Sequence, residues 1–184
     1  MKFVPLDLQG AYLIETERMS DDRGSFERTY CETAFAEAGL ATQFPQHNLS
    51  FNAVRGTVRG MHYQTAPHEE VKVVRCLHGA VDDVIVDIRP QSPTYRRIAR
   101  VELSRANGRA LYIPQGFAHG FQSLEDETLL HYMMGTQYHP QSATGFSWDD
   151  PAFNISWPLP ITSISEKDRT FPEYSERSHG ASAD

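Results

Sequence analysis

Between Val71 and Tyr132 the chain is a succession of short segments with two-residue alternation, punctuated by Gly and Pro. Val71–Leu77, Ala80–Ile88, Ile98–Leu103, Arg109–Ile113 and Thr128–Tyr132 all read this way, as does Ala11–Glu15 upstream. Alternation puts every second side chain on one face of a pleated strand, and segments this short cannot bury that face alone. They must pair edge to edge and close over one another, which predicts an all-β sandwich or barrel. One helix is predicted over residues 32–38, where apolar spacing runs up to Gly39 as the C′ residue. There is no internal repeat and no domain boundary. A single domain over residues 1–174 is expected, followed by a small, polar, disordered tail at 175–184. Ser163–Arg169 is expected to be ordered because Trp157 and Phe171 flank it.

The bulk composition narrows the partners. At 184 residues, 40% hydrophobic and 22% charged, the chain is long enough for one full core. A net charge of −7 argues against nucleic acid as a partner, so an anionic ligand needs a local cluster of Arg and Lys. Cys31 and Cys76 form no Cys-x-x-Cys pair, which points to neither a zinc site nor a disulfide framework and fits a reducing cytoplasm. No segment approaches the ~18 apolar residues of a membrane span. An early Pro5 and the lack of an apolar run argue against a secretory leader.

Two segments carry chemistry. Arg59-Gly60-Met61-His62-Tyr63-Gln64 is followed ten residues after the histidine by Lys72, and Pro114–Gly120 brings His119 on a turn. Histidine, lysine and arginine crowded on alternating strands suggest proton transfer on an anionic substrate. Gly108, Pro114, Gly116 and His119 fall at the spacing of the second cupin motif, which this stretch resembles, with Ser123 where an Asn usually ends it. The resemblance implies a cupin-like jelly-roll barrel with a few short peripheral helices. The first cupin motif supplies a His-x-His pair to a metal, but here Tyr63 and Gln64 follow His62. His68, Glu69 and Glu70 are the substitutes at hand, yet alternation does not bring them to His62, so neither metal nor cofactor is expected. His47, His68, His78, His131, His139 and His179 are read as structural or surface histidines.

Taken together, further segments extend the likeness. Asp22-Arg23-Gly24-Ser25-Phe26, Gln46–Ser50, Gly56–Gln64, Lys72–Arg75, Asp83–Arg89, Ile113–Phe121, Tyr132 with Tyr138, and Ser165–Asp168 run in one order over roughly residues 5 to 170. In this set the chain resembles the dTDP-4-dehydrorhamnose 3,5-epimerases and relatives acting on nucleotide-linked 4-keto-6-deoxy sugars. The resemblance implies an isomerase that needs no cofactor. The hydrogens at C3 and C5 lie α to the C4 ketone, so removing one gives an enolate. His62 matches the general base, and Asp168 the carboxylate that orients it. Tyr132 matches the acid on the opposite face, and Lys72 the cation beside the C4 oxygen. Arg23 and Arg59 match pyrophosphate-binding residues. Gln46, Asn48 and His119 match substrate contacts, Tyr138 an aromatic stacking near nucleotide and sugar, and Phe26 a residue at the nucleotide end. The family is homodimeric with strand exchange, so Arg23, Phe26 and Arg28 are expected to serve the neighbouring subunit's site. On residue type alone, Asp168 also reads as the end of a surface Lys-Asp-Arg run, Tyr132 as a core aromatic and Lys72 as a solvated lysine.

Three positions depart from the pattern. Arg28 and Ala143 stand where acidic residues are common, and His47 where an Asp is frequent. Because arginine only donates hydrogen bonds, Arg28 leaves a CDP-linked sugar open beside a dTDP-linked one. Inversion at C3, at C5 or at both also stays open. A 3,4-ketoisomerase and a non-catalytic sugar-nucleotide-binding cupin are the alternatives.

Overall fold

The computed structural model describes residues 1–174; the expected disordered tail at 175–184 lies outside the described residues. In chain order the strands are β1 (Lys2–Pro5), β2 (Tyr12–Glu15), β3 (Arg18–Asp21), β4 (Gly24–Glu27), β5 (Gln46–Asn52), β6 (Thr57–Gln64) and β7 (Lys72–His78). They continue with β8 (Ala80–Asp87), β9 (Ile98–Ser104), β10 (Ala110–Ile113), β11 (Phe117–Ser123), β12 (Thr128–Met134), β13 (Ala143–Gly145) and β14 (Ser163–Ile164). Helix α1 (Glu32–Glu37) lies between β4 and β5, and α2 (Glu166–Arg169) follows β14. Each of the six alternating segments forms a strand: β2, β7, β8, β9, β10 and β12.

One sheet has the order β1-β2-β10-β7-β12-β5 and the other β13-β6-β11-β8-β9, with β14 alongside β6. Pairing within both is antiparallel except at β14. The two sheets make the jelly-roll barrel. Leu13, Val74, Cys76, Leu111, Ile113 and Leu130 of the first sheet share one buried cluster with Val81, Ile85, Leu103, Phe117 and Phe121 of the second. Every second residue of the facing strands enters it, as the pleat requires.

The outer faces are covered as well. Phe35 of α1, with Tyr30, Leu40 and Phe44, packs on Ile14, Val73, Tyr112 and Met133 outside the first sheet. Phe146, Phe153, Ile155 and Trp157 pack on Met61, Tyr63, Val84 and Val86 outside the second. Burial on both faces explains why β8 reads as nearly continuous Val and Ile rather than clean alternation. Helix α1 ends as its sequence predicts. Gly39 takes φ +70°, Leu40 N–H donates to Phe35 O and Gly39 N–H to Ala36 O. These are the two bonds of a Schellman cap.

The strand that carries His62 has one irregularity that matters for the site. His119 pairs with His62 and Phe121 with Arg59, so β6 spends three residues where β11 spends two. Gly60 lies in this bulge at φ +132°, and a Cβ there would stand 2.6 Å from Gly120 Cα. The bulge brings Arg59 and His62, three residues apart, to the same cavity, which straight alternation would forbid. Gly60→Ala must push the backbones of β6 and β11 apart. We expect it to destabilise the fold by about 1–3 kcal/mol, measured by chemical denaturation, with activity reduced even in the folded fraction.

Candidate active site

At one end of the barrel the apolar filling stops and a cavity of ≈ 310 Å³ opens between the sheets. Eight of the sequence-predicted residues line it: Gln46, Asn48, Arg59, His62, Lys72, His119, Tyr132 and Tyr138. They come from both sheets. His62 and Arg59 lie on β6 and His119 on β11, whereas Tyr132 lies on β12, Lys72 on β7, and Gln46 and Asn48 on β5. His62 and Tyr132 therefore face the cavity from opposite walls.

Asp168 reaches His62 from 106 residues away. Its Oδ1 stands 2.6 Å from His62 Nε2. The Asp168 side chain is 5% exposed and that of His62 41%, so the carboxylate is buried behind a ring that still meets solvent. A local cap fixes Asp168: Ser165 is the N-cap of α2, and its Oγ accepts from the Asp168 backbone N–H at 3.0 Å. Gly60 N–H donates to Asp168 Oδ2 at 3.3 Å. Burial pulls the Asp168 pKa upward, but His62, Gly60 and Ser165 outweigh it and hold the carboxyl below its ordinary range. An ionised carboxylate only accepts, so His62 Nε2 carries the proton and Nδ1 remains the basic nitrogen. Phe171 packs edge-on against the His62 ring at 5.9 Å.

His119 is held in parallel fashion. Its Nε2 lies 2.9 Å from both oxygens of Asp83, which is fully buried. Burial pushes the Asp83 carboxyl up against the opposing pull of His119. Tyr132 stands edge-on to His119 at 5.9 Å. Burial, reinforced by the Asp83 charge, pushes its phenol well above the ordinary tyrosine range; like any phenol it carries its proton at neutral pH. Lys72 Nζ lies 3.0 Å from Glu70 Oε1 and donates to His62 O at 3.4 Å. Arg59 is braced by Asn52 Oδ1 at 2.7 Å and Phe51 O at 3.2 Å. Tyr138, exposed, is anchored through its backbone N–H to Gln46 Oε1 at 3.1 Å.

Three predicted residues are not in this cavity. Arg23 and Phe26 belong to the separate β3–β4 hairpin, and Arg28 follows it. Arg23 is tied to Asp21 at 2.6 Å, Phe26 is 69% exposed, and Arg28 borders Cys31. Within one chain they are remote from His62.

Other lining residues were not predicted as site residues: Gln64, Met134 and Lys167, and Glu70 in any role but a metal ligand's, with Asp83 behind His119. Asp83 had a signal, being an acid inside a Val/Ile strand buried on both faces, where an unpaired carboxylate is costly. Glu70, considered as a metal ligand, instead pairs with Lys72. His68, the other candidate, stacks on His139 with centroids 3.6 Å apart. Among the described residues no group of three His, Cys, Asp or Glu converges as a metal site, and no helix is long and apolar enough to cross a membrane.

The two sheets form a cupin-like jelly-roll barrel, and its open end sets a carboxylate-backed histidine across from a tyrosine. Comparison with known proteins makes this specific. A family model described as dTDP-4-dehydrorhamnose 3,5-epimerase matches residues 5–176. A dTDP-4-dehydrorhamnose 3,5-epimerase of Methanothermobacter thermautotrophicus is 43% identical over 173 residues, 92% of each chain. The crystal structure of a dTDP-4-dehydrorhamnose 3,5-epimerase from Bacillus anthracis, with TDP and PPi bound, superposes with a TM-score of 0.91 at 36% identity, covering 94% of this chain and 99% of that one. A 3′-monoepimerase from Streptomyces bikiniensis, in complex with dTDP-quinovose, gives 0.86 at 32% identity over 92% and 86%. The chain belongs to the dTDP-4-dehydrorhamnose 3,5-epimerase family and is an isomerase.

The depressed Asp168 pKa carries a sign. Its stabilising contribution is present above the unfolded carboxylate value of about 3.9 and is lost as pH falls through the lower folded value. Asp168→Asn should therefore differ most from the wild type in stability near neutrality, and the two should converge in acid. Denaturant titrations across pH check this.

Proposed function

We propose that this chain is a metal-independent epimerase of a nucleotide-diphospho-4-keto-6-deoxyhexose, with His62 as general base, Asp168 as its orienting carboxylate, Tyr132 as general acid and Lys72 as the cation at the C4 oxygen. The observation that carries the proposal is the His62–Asp168 contact at 2.6 Å on one wall of the cavity, with the Tyr132 phenol on the opposite wall. Epimerisation without redox needs this arrangement. A base removes the proton α to the ketone, the enolate flattens the carbon, and an acid returns a proton to the other face. Fixed positive charge at the growing oxyanion lowers the barrier further. Arg59, Gln46, Asn48, His119 and Tyr138, all on the cavity wall, bind the substrate in this reading.

The nucleotide is taken to be dTDP, because the relatives above carry that name or that ligand. Ala143 leaves room at the cavity wall, and Arg28 offers only donors, so CDP-sugars are the comparison to run. Deoxysugar biosynthesis in the cytoplasm is the accompanying setting. The working unit is a homodimer of single-domain chains, each spanning residues 1–174. Leu49, Phe51 and Leu77 are exposed on the first sheet, and the buried Nη2 of Arg75 has no acceptor there. A second copy covering that face would also bring Arg23, Phe26 and Arg28 to a neighbouring cavity.

Incubation in deuterated buffer tests the reaction. Label at C3 and C5 means double epimerisation. Label at one carbon means a single-centre enzyme like the Streptomyces bikiniensis neighbour, and no label leaves a binding protein. His62→Ala should abolish exchange, with a loss of roughly 10²–10⁴ in rate. Tyr132→Phe should still wash label into the substrate while accumulating less epimer. Equal loss of both signals would make Tyr132 a positioning group only.

A further inference from the structure

We infer that Glu70 is a positioning residue that aims the Lys72 ammonium into the cavity. The inference rests on the reading of Lys72 as the cation at the C4 oxygen. Both side chains are almost fully buried, at 8% and 7% exposed, and the ion pair is 3.0 Å long. A buried ammonium without a partner is costly, and a long lysine stem has many rotamers to lose. An ammonium carries three donors. Glu70 Oε1 takes one and His62 O lies 3.4 Å from Nζ. Two fixed acceptors set the direction of the third N–H, and the cavity is the space left for it.

The carboxylate is itself held. Its Oε2 accepts from Gln64 Nε2 at 3.1 Å. Gln64 also donates to His68 O at 3.0 Å and accepts from His139 N–H at 2.7 Å. Gln64 sits two residues beyond His62 on β6, so it lines the same cavity. The network thus references the lysine to the base-bearing strand and to the wall segment that carries Tyr138.

The test is a set of variants at Glu70 read in two backgrounds, by kcat, KM and deuterium exchange. Glu70→Ala should lower kcat by roughly 10- to 100-fold through misplacement of Lys72, with KM little changed. Glu70→Gln keeps a carbonyl acceptor at the same reach and should recover most of the loss. If Glu70→Ala does not fold, Glu70→Leu fills the space without offering an acceptor. In a Lys72→Ala background, removing Glu70 should cost no further kcat, because there is nothing left to aim. Independent, multiplying losses from Glu70→Ala and Lys72→Ala would overturn the inference, as would a Glu70→Gln enzyme as impaired as Glu70→Ala. A Lys72→Ala enzyme with normal kcat would instead remove the reading of Lys72 itself, and the single variant reveals this separately.

Discussion

The site depends on a carboxylate carried from the C-terminal segment to a strand in the middle of the barrel. Asp168 holds His62 by one oxygen and the Gly60 backbone by the other. It can do so because residues 146–157 wrap the outer face of the second sheet and lead into β14, which docks beside β6. Docking of this segment is therefore coupled to the chemistry. A segment that failed to dock would expose the outer face of the sheet and leave His62 without a partner. A surface pair at this distance would contribute little. With Asp168 buried, taking a backbone N–H from Gly60 and sitting on a capped helix, the pair fixes a tautomer and a ring orientation.

The same rule organises the rest of the cavity. An apolar barrel admits charged groups only in compensated sets. His119 meets Asp83, Lys72 meets Glu70, and Arg59 is braced by Asn52 and Phe51 O. His119 faces the cavity with Asp83 behind it, whereas Lys72 and Glu70 both line it. Polar groups held this way need not reorganise as charge develops on a substrate, which is where such sites gain their rate. Tyr132 is the neutral case: it has no charge to compensate, and its burial disfavours the phenolate.

The region away from the cavity carries a different message. The β3–β4 hairpin forms no ladder with either main sheet and exposes Met19 and Phe26. Hairpins of two strands are marginal on their own. Here Arg18 and Glu27 tie its base to the barrel through Arg75, Arg105 and the backbone of the β9–β10 turn. The exposed Met19–Phe26 rung, next to the ionic base, is in keeping with the proposed dimer.

Sequence alone determined much of this protein. Two-residue alternation specified β2, β7, β8, β9, β10 and β12, because pleat geometry is local. Gly39 specified the end of α1, because only a residue at ease with positive φ closes that cap. The spacing of Gly108, Pro114, Gly116 and His119, with the segments around His62 and Asp168, pointed to the family. What only the tertiary structure decided is which side chains meet. Alternation would have separated Arg59 from His62, and a one-residue bulge, visible only in the pairing of β6 with β11, reunites them. Glu70, weighed from sequence as a metal ligand, is instead the partner of Lys72. Asp83 meets His119 only because β8 and β11 are neighbours in the closed sheet. Arg23, Phe26 and Arg28 lie outside the cavity of their own chain, because the hairpin that holds the first two and precedes the third pairs with neither sheet. Local chemistry writes strands and caps into the sequence. Partners more than 30 residues apart are set by register and sheet order, and those exist only once the barrel has closed.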